Sequence, residues 1–192
     1  QGRWEEHHFH CAAAILQERE TLGSQERLGR HYWWAGAHNA AMATFLKAIH
    51  AYLEGGAYRQ AGRLFDEWER RLDEMGLLSH HTYWGELGLL KVKFARTYNR
   101  YVDALKEAEN VYLEAKKHNW HQVRLRALLE LGYIGWRAGY APSQVEVCLQ
   151  QAEGLALQIN DLQLLGRSRC ISGDYFNFHG KPDQAMGFFQ RA

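Results

Sequence analysis

Proline is scarce in this chain: two residues in 192, Pro142 and Pro182. Neither interrupts a stretch of helical periodicity. Each opens one, where a fixed φ and a missing N–H cost little. Cysteine is nearly as scarce, and Cys11, Cys148 and Cys170 are scattered and odd in number. That argues against a disulfide framework and fits reduced thiols in a cytoplasmic protein. A surplus of charge is missing too. The formal net charge is +1, so no global field calls for nucleic acid or an acidic membrane, although 11 histidines would make the chain more cationic in acid. No apolar run approaches the roughly 18 residues that span a bilayer, and the opening Gln1-Gly2-Arg3-Trp4-Glu5-Glu6 has no signal-peptide features. Neither a Gly-x4-Gly-Lys-Ser/Thr phosphate loop nor a Gly-x-Ser-x-Gly elbow occurs. What the chain does have is 46% apolar and 23% charged residues, the balance of a folded, water-facing protein.

It also has a beat. Gly56-Ala57-Tyr58-Arg59-Gln60-Ala61 parallels Asn99-Arg100-Tyr101-Val102-Asp103-Ala104. Gly139-Tyr140-Ala141-Pro142 and Gly180-Lys181-Pro182-Asp183-Gln184-Ala185 continue the series at nearly equal steps. The step is roughly 40 residues, the length of a two-helix repeat. Gly76, Asn119 and Asn160 form an offset series with the same step. Two interleaved turn series with one period predict repeated helix pairs, each a first helix A and a second helix B, which bury their apolar faces only by stacking. The reading along the chain is B 3–20, an insert over 24–36, A 37–54, B 57–75, A 80–98, B 100–117, A 120–138, B 142–158, A 161–179 and B 182–192, with Asp161 and Ser143 as first-turn or capping residues. The surplus length falls between Gly23 and Gly56. Gly29 and Gly36 break any single long helix there. His31-Tyr32-Trp33-Trp34 belongs either to an overlong helix packing its aromatics inward or to an insert shaped for a partner.

The hairpin turns carry a family resemblance. Leu131-Gly132 lies in an A helix that ends at Gly139. Tyr52, Gly56, Tyr58, Ala61 and Phe65, then Tyr101, Ala104 and Ala108, then Phe176, Gly180, Ala185 and Phe189 repeat an aromatic, turn and small-residue pattern. The chain resembles the tetratricopeptide repeat family, with units longer than that family's usual length. Longer units of this kind are similar to the MalT-like sensor arrays of bacterial STAND ATPase regulators. The resemblance implies an all-α, right-handed superhelical solenoid of antiparallel helix pairs over 1–192, a segment of a longer array whose ATPase and effector domains lie elsewhere. It implies a binding module, not an enzyme, with no cofactor. The alternative is a structural scaffold subunit that holds a multiprotein complex together.

In such arrays the A helices line a concave groove. The turn register then implies groove positions Leu46, His50 and Leu53; Glu86, Leu89, Lys93 and Arg96; Arg126, Leu129, Tyr133, Trp136 and Arg137; and Arg167, Cys170, Asp174 and Asn177. Lys93, Arg96, Arg126, Arg137 and Arg167 make its centre basic. Arginine forks suit carboxylate or phosphate, and Tyr133 and Trp136 add flat contact area. The expected partner is a protein, a peptide or an anionic small molecule, with no direct nucleic acid and no membrane. Against this, some arginines can pair with acids across the groove and Trp136 can pack on the neighbouring helix. The carboxylate clamp of chaperone-binding members is disfavoured, because Leu46 and His50 stand in its first helix.

Two histidine runs invite a metal reading. His7, His10 and Cys11 are spaced i, i+3 and i+4 and share a helical face, but no second element supplies partners. In the repeat register His7 and Cys11 instead face the helix seam. His80-His81 reads as a solvated turn. No metal site is expected.

Overall fold

The computed structural model describes residues 2–17, 21 and 23–192. Among these residues there are ten helices and no strand. They are α1 (Gly2–Gln17), α2 (Ser24–Trp34), α3 (His38–Glu54), α4 (Tyr58–Glu74), α5 (Thr82–Thr97), α6 (Tyr101–Lys117), α7 (His121–Ala138), α8 (Pro142–Gln158), α9 (Leu162–Phe178) and α10 (Pro182–Phe189). Each helix packs on its neighbour in sequence within two compact units, Gln1–Leu77 and Leu78–Ala192. The expected all-helical, repeat-like architecture is present. Residues 18–20, read as the end of the first helix, lie outside the described residues.

The turns explain the regularity. Gly36, Gly56, Gly76, Asn99, Asn119, Gly139, Asn160 and Gly180 all have positive φ, and Asn99, Asn119 and Asn160 are the non-glycine residues that do so. The residue after the left-handed one sends its N–H back to a carbonyl five positions earlier. Ala57 bonds to Tyr52 at 2.8 Å, Arg100 to Ala95 and Trp120 to Ala115 at 2.9 Å, and Asp161 to Ala156 at 3.0 Å. This is the six-to-one closure of a Schellman turn, which satisfies an orphan carbonyl at the helix end. Glycine tolerates that conformation and asparagine accepts it better than most residues. The next helix starts at once. Asp161 caps α9 by accepting from Leu164 N at 3.0 Å, and His81 Nδ1 caps α5 by accepting from Tyr83 N at 3.3 Å. At α8 the cap position belongs to Ala141, and Ser143 stands in the first turn. Pro142 holds the first helical position, and Gln144 Oε1 accepts from the Ala141 N–H at 2.9 Å.

Gly36 changes the reading of the N-terminal unit. Its left-handed turn precedes that of Gly76 by one repeat step, so it extends the offset series back toward the start. The 24–36 segment is therefore a short helix in the B slot, and α1, read from sequence as the B helix, precedes it. α2 packs on both α1 and α3, and α3 packs on α4. Leu28 seals against Ala12 and Ile15 with Tyr32 beside them. Phe45, Ile49, Leu64, Trp68 and Leu72 fill the rest of the first core, with Trp68 Nε1 donating to Met42 O at 3.1 Å. Fully burying one such side chain is worth roughly 1.5–3 kcal/mol.

In the second unit α7 touches both α5 and α9. α6 packs on α5 and α7, α8 on α7 and α9, and α10 on α9. The small residues of the B helices, Ala104, Ala108, Ala152 and Ala185, are buried, as is Ala61 in the first unit. They let neighbouring helices approach closely. Gly132 does the same from α7: a Cβ there would lie 2.5 Å from Leu149 Cδ2. Gly173, one repeat later in α9, meets the Phe189 ring in the same way.

Candidate functional site

The side chains expected to form a groove divide between a buried set and an accessible set. Leu129 is 1% exposed and Leu53 is 6% exposed; both belong to the core rather than to a groove. The accessible stripe of α7 runs through Arg126, Glu130, Tyr133 and Arg137, at the i, i+4, i+7, i+11 spacing that keeps side chains on one helical face. Glu130 was missed from sequence, although that spacing points to it.

Acids neutralise much of the expected basic character. Arg126 reaches Glu86 on α5 with a two-pronged bond, Nη1 donating to Oε2 at 2.9 Å and Nη2 to Oε1. Glu130 takes Arg96 from α5 at 3.2 Å and Arg167 from α9 at 3.4 Å. These pairs tie the three helices together across sequence separations of about one repeat. Lys93 is half-buried on α5 and does not line the cavity described next.

Arg137 stands apart. Among the described residues no carboxylate pairs with it. Its guanidinium lies 3.7 Å from the centre of the Trp136 ring and 4.5 Å from that of Tyr133, and Nη1 donates to Tyr133 O at 2.6 Å. Arg96 covers Tyr133 at 4.8 Å, and Trp136 leans on Phe178 of α9 at 4.3 Å. Tyr133, Trp136, Arg137, Asp174, Asn177 and Phe178 surround a cavity of about 280 Å³. Five of the ten side chains proposed from sequence thus meet at one place. It offers a planar cation with free N–H edges, a carboxylate acceptor on Asp174, the Asn177 amide and three aromatic faces. His50 belongs to the first unit, half-buried on α3, whereas this cavity is built within the second. Cys170 is exposed and takes no part.

The first unit places its histidines differently from the expectation. His7 is exposed, while His8 is buried with its Nδ1 2.9 Å from His31 Nδ1 on α2. Cys11 Sγ lies 3.6 Å from His7 Nε2. Among the described residues no group of three or more His, Cys, Asp or Glu could hold a metal ion. Burial, and then the charge of His8, lower the His31 imidazole below its usual range. Nearby, Glu26 is 7% and Arg71 5% exposed. Tyr52 Oη donates to Glu26 at 2.5 Å, Arg30 bridges Glu26 at 2.7 Å and Glu67 at 3.1 Å, and Arg71 Nη2 donates to Glu67 at 2.6 Å. Arg71 also stacks over Trp33 at 4.2 Å. Burial alone would raise the Glu67 carboxyl, but the Arg71 and Arg30 bonds override it and hold it below its ordinary value. Trp33 and Tyr32 thus pack inward, and Trp34 remains 53% exposed.

A larger cavity, about 590 Å³, opens between α6 and α8 over α7. Sequence reasoning did not find it. Leu113 and Val147, apolar residues left on accessible helix faces, were the available signal. Tyr140 Oη donates to Glu109 there at 2.5 Å, and burial and that carboxylate push both the Tyr140 phenol and the Cys148 thiol up.

No helix among the described residues is long and apolar enough to cross a membrane. Comparison with protein-family models, curated proteins and solved structures gives no match to this chain.

Proposed function

We propose that this chain is a partner-binding array of the tetratricopeptide type, a right-handed superhelical solenoid. It serves as the sensor or interaction region of a cytoplasmic signalling or transcriptional regulator of the STAND class. The bound group is a carboxylate-bearing peptide or small molecule, held at the α7–α9 cavity. One observation carries this reading: Arg137 is oriented by Trp136 and Tyr133 yet has no carboxylate partner among the described residues. An arginine stacked on aromatic rings is pre-organised for a planar anion, so little entropy is lost on binding. Asp174 and Asn177 complement the N–H and C=O groups of a peptide. The recurrence of one turn at half-repeat intervals supports the array.

The competing reading, a scaffold subunit, is favoured by the exposed Leu113, Val147 and Leu157 on α6 and α8. Arrayed decapeptides with free carboxyl termini, and the same peptides amidated, test the first reading. Free acids should bind preferentially, and Arg137→Ala should weaken them at least tenfold, about 1.4 kcal/mol. Equal capture of acids and amides, or capture that survives Trp136→Ala combined with Arg137→Ala, removes the assignment.

A further inference from the structure

We propose that the cavity between α6 and α8 is a separate binding site for a small amphiphile with an apolar chain and a cationic amine head. Its side chains differ from those of the α7–α9 cavity, so it stands or falls independently of that reading. The walls supply both halves of the recognition. Leu113, Leu128, Leu131 and Val147 give hydrocarbon, and Leu113 and Val147 are 59% and 49% exposed at the mouth. The volume of about 590 Å³ falls within the roughly 300–1,000 Å³ of small-molecule sites.

The polar end is anionic. Glu109 Oε1 accepts from Tyr140 Oη at 2.5 Å, which fixes the carboxylate in place. Among the described residues Glu109 forms no ion pair. Arg124 sits 5.8 Å over the Tyr112 ring. The field of that carboxylate is felt by its neighbours: after burial, it is Glu109 that raises the Cys148 thiol. A half-buried carboxylate held beside an apolar wall attracts an ammonium ion, because the pair is screened less there than on an open surface. The same field repels a carboxylate head and leaves an alcohol with a hydrogen bond only. Charge complementarity therefore selects an alkyl amine.

Cys148 lines this cavity, whereas Cys11 and Cys170 lie outside it, so alkylation is a local reporter. The intact chain is treated with N-ethylmaleimide alone or with n-decylamine, n-decanol or decanoate below their micelle concentrations, and each cysteine is followed by peptide mass spectrometry. Decylamine should slow labelling of Cys148 at least tenfold and leave Cys170 unchanged; decanoate should not protect. Glu109→Gln keeps an acceptor for Tyr140 and should reduce the amine to the level of the alcohol. Val147→Trp, at an exposed position, should fill the mouth and abolish protection with the helical spectrum unchanged. Equal protection by decanoate, protection of all three thiols, or no protection by the amine would overturn the proposal. Protection that grows with protein concentration in the absence of any amphiphile would also overturn it, and would assign the face to a second copy of the chain.

Discussion

Arg71 in the first unit is 5% exposed. Its edge is bonded to Glu67 and its faces lie over Trp33 and Phe45. Arg137 in the second unit is exposed; it too lies over aromatic rings, those of Trp136 and Tyr133, but no carboxylate among the described residues takes its edge. Aromatic stacking orients the guanidinium in both cases. The carboxylate separates them. Where Glu67 completes the network, the arginine is a structural strut linking α2 to α4. Where no carboxylate among the described residues takes the edge, the same geometry is the receptor proposed above for a carboxylate-bearing partner. Arg126, Arg96 and Arg167 fall between these extremes, since each has an acid but remains partly accessible.

The largest effect expected from this contrast is on stability. Arg71→Ala removes one of the two arginines that hold Glu67, with Arg30 remaining, and empties the space beside Trp33. Losing these bonds to a charged group costs about 3 kcal/mol, the upper end for such bonds, read as a fall in urea midpoint. If Arg71→Ala costs under about 1 kcal/mol, the level of an exposed pair, the first-unit network is no strut and the contrast fails. Next comes Trp136→Ala. It should weaken carboxylate-peptide binding about thirtyfold, near 2 kcal/mol, while lowering stability less than Arg71→Ala does. A stability loss as large as that of Arg71→Ala would show that Trp136 is core and not receptor.

A turn control separates side-chain roles from backbone. Gly56→Ala and Asn160→Ala sit in the two units at φ values of 72° and 54°. Gly56→Ala should cost about 1–2 kcal/mol, the left-handed penalty for an L-residue. Asn160→Ala should cost less, because asparagine already carries a Cβ and bears part of that penalty. A loss at Asn160 as large as that at Gly56 would mean that the turns are not equivalent.

The smallest effect is one of pH. The folded His31 imidazole is held below its usual value, first by burial and then by His8, so the unfolded chain takes up a proton more readily. Stability is intact above the ordinary histidine value of 6.5 and falls as pH drops below it. The Tyr52 phenol, pushed up to about 12 by burial and by Glu26, acts at the other end: stability falls as pH rises above 10 and the unfolded phenol ionises first. His31→Gln should flatten the acid limb in pH-dependent urea titrations, and an unchanged acid limb would remove the His8–His31 pair as its cause.

Helix positions were legible because single residues decide them. From α2 onward a Gly or Asn at each turn fixes the left-handed closure and a Pro opens α8 and α10, so the beat of the chain is written in residue identities. The short α2 was harder to read: Gly36 belongs to the same series, but the break near Gly23 hid it. Charge pairing was not legible in the same way. Arg126 finds Glu86 and Arg167 finds Glu130 from a full repeat away, and which acid an arginine meets depends on how far one helix slides along the next. Local sequence determined the turns, the helix lengths and the choice of His, Arg and aromatic residues. Only tertiary packing decided that His8 and not His7 is buried, that Arg137 keeps a free edge, and that a cavity opens between α6 and α8, because each depends on the distance between segments that share no local bonding.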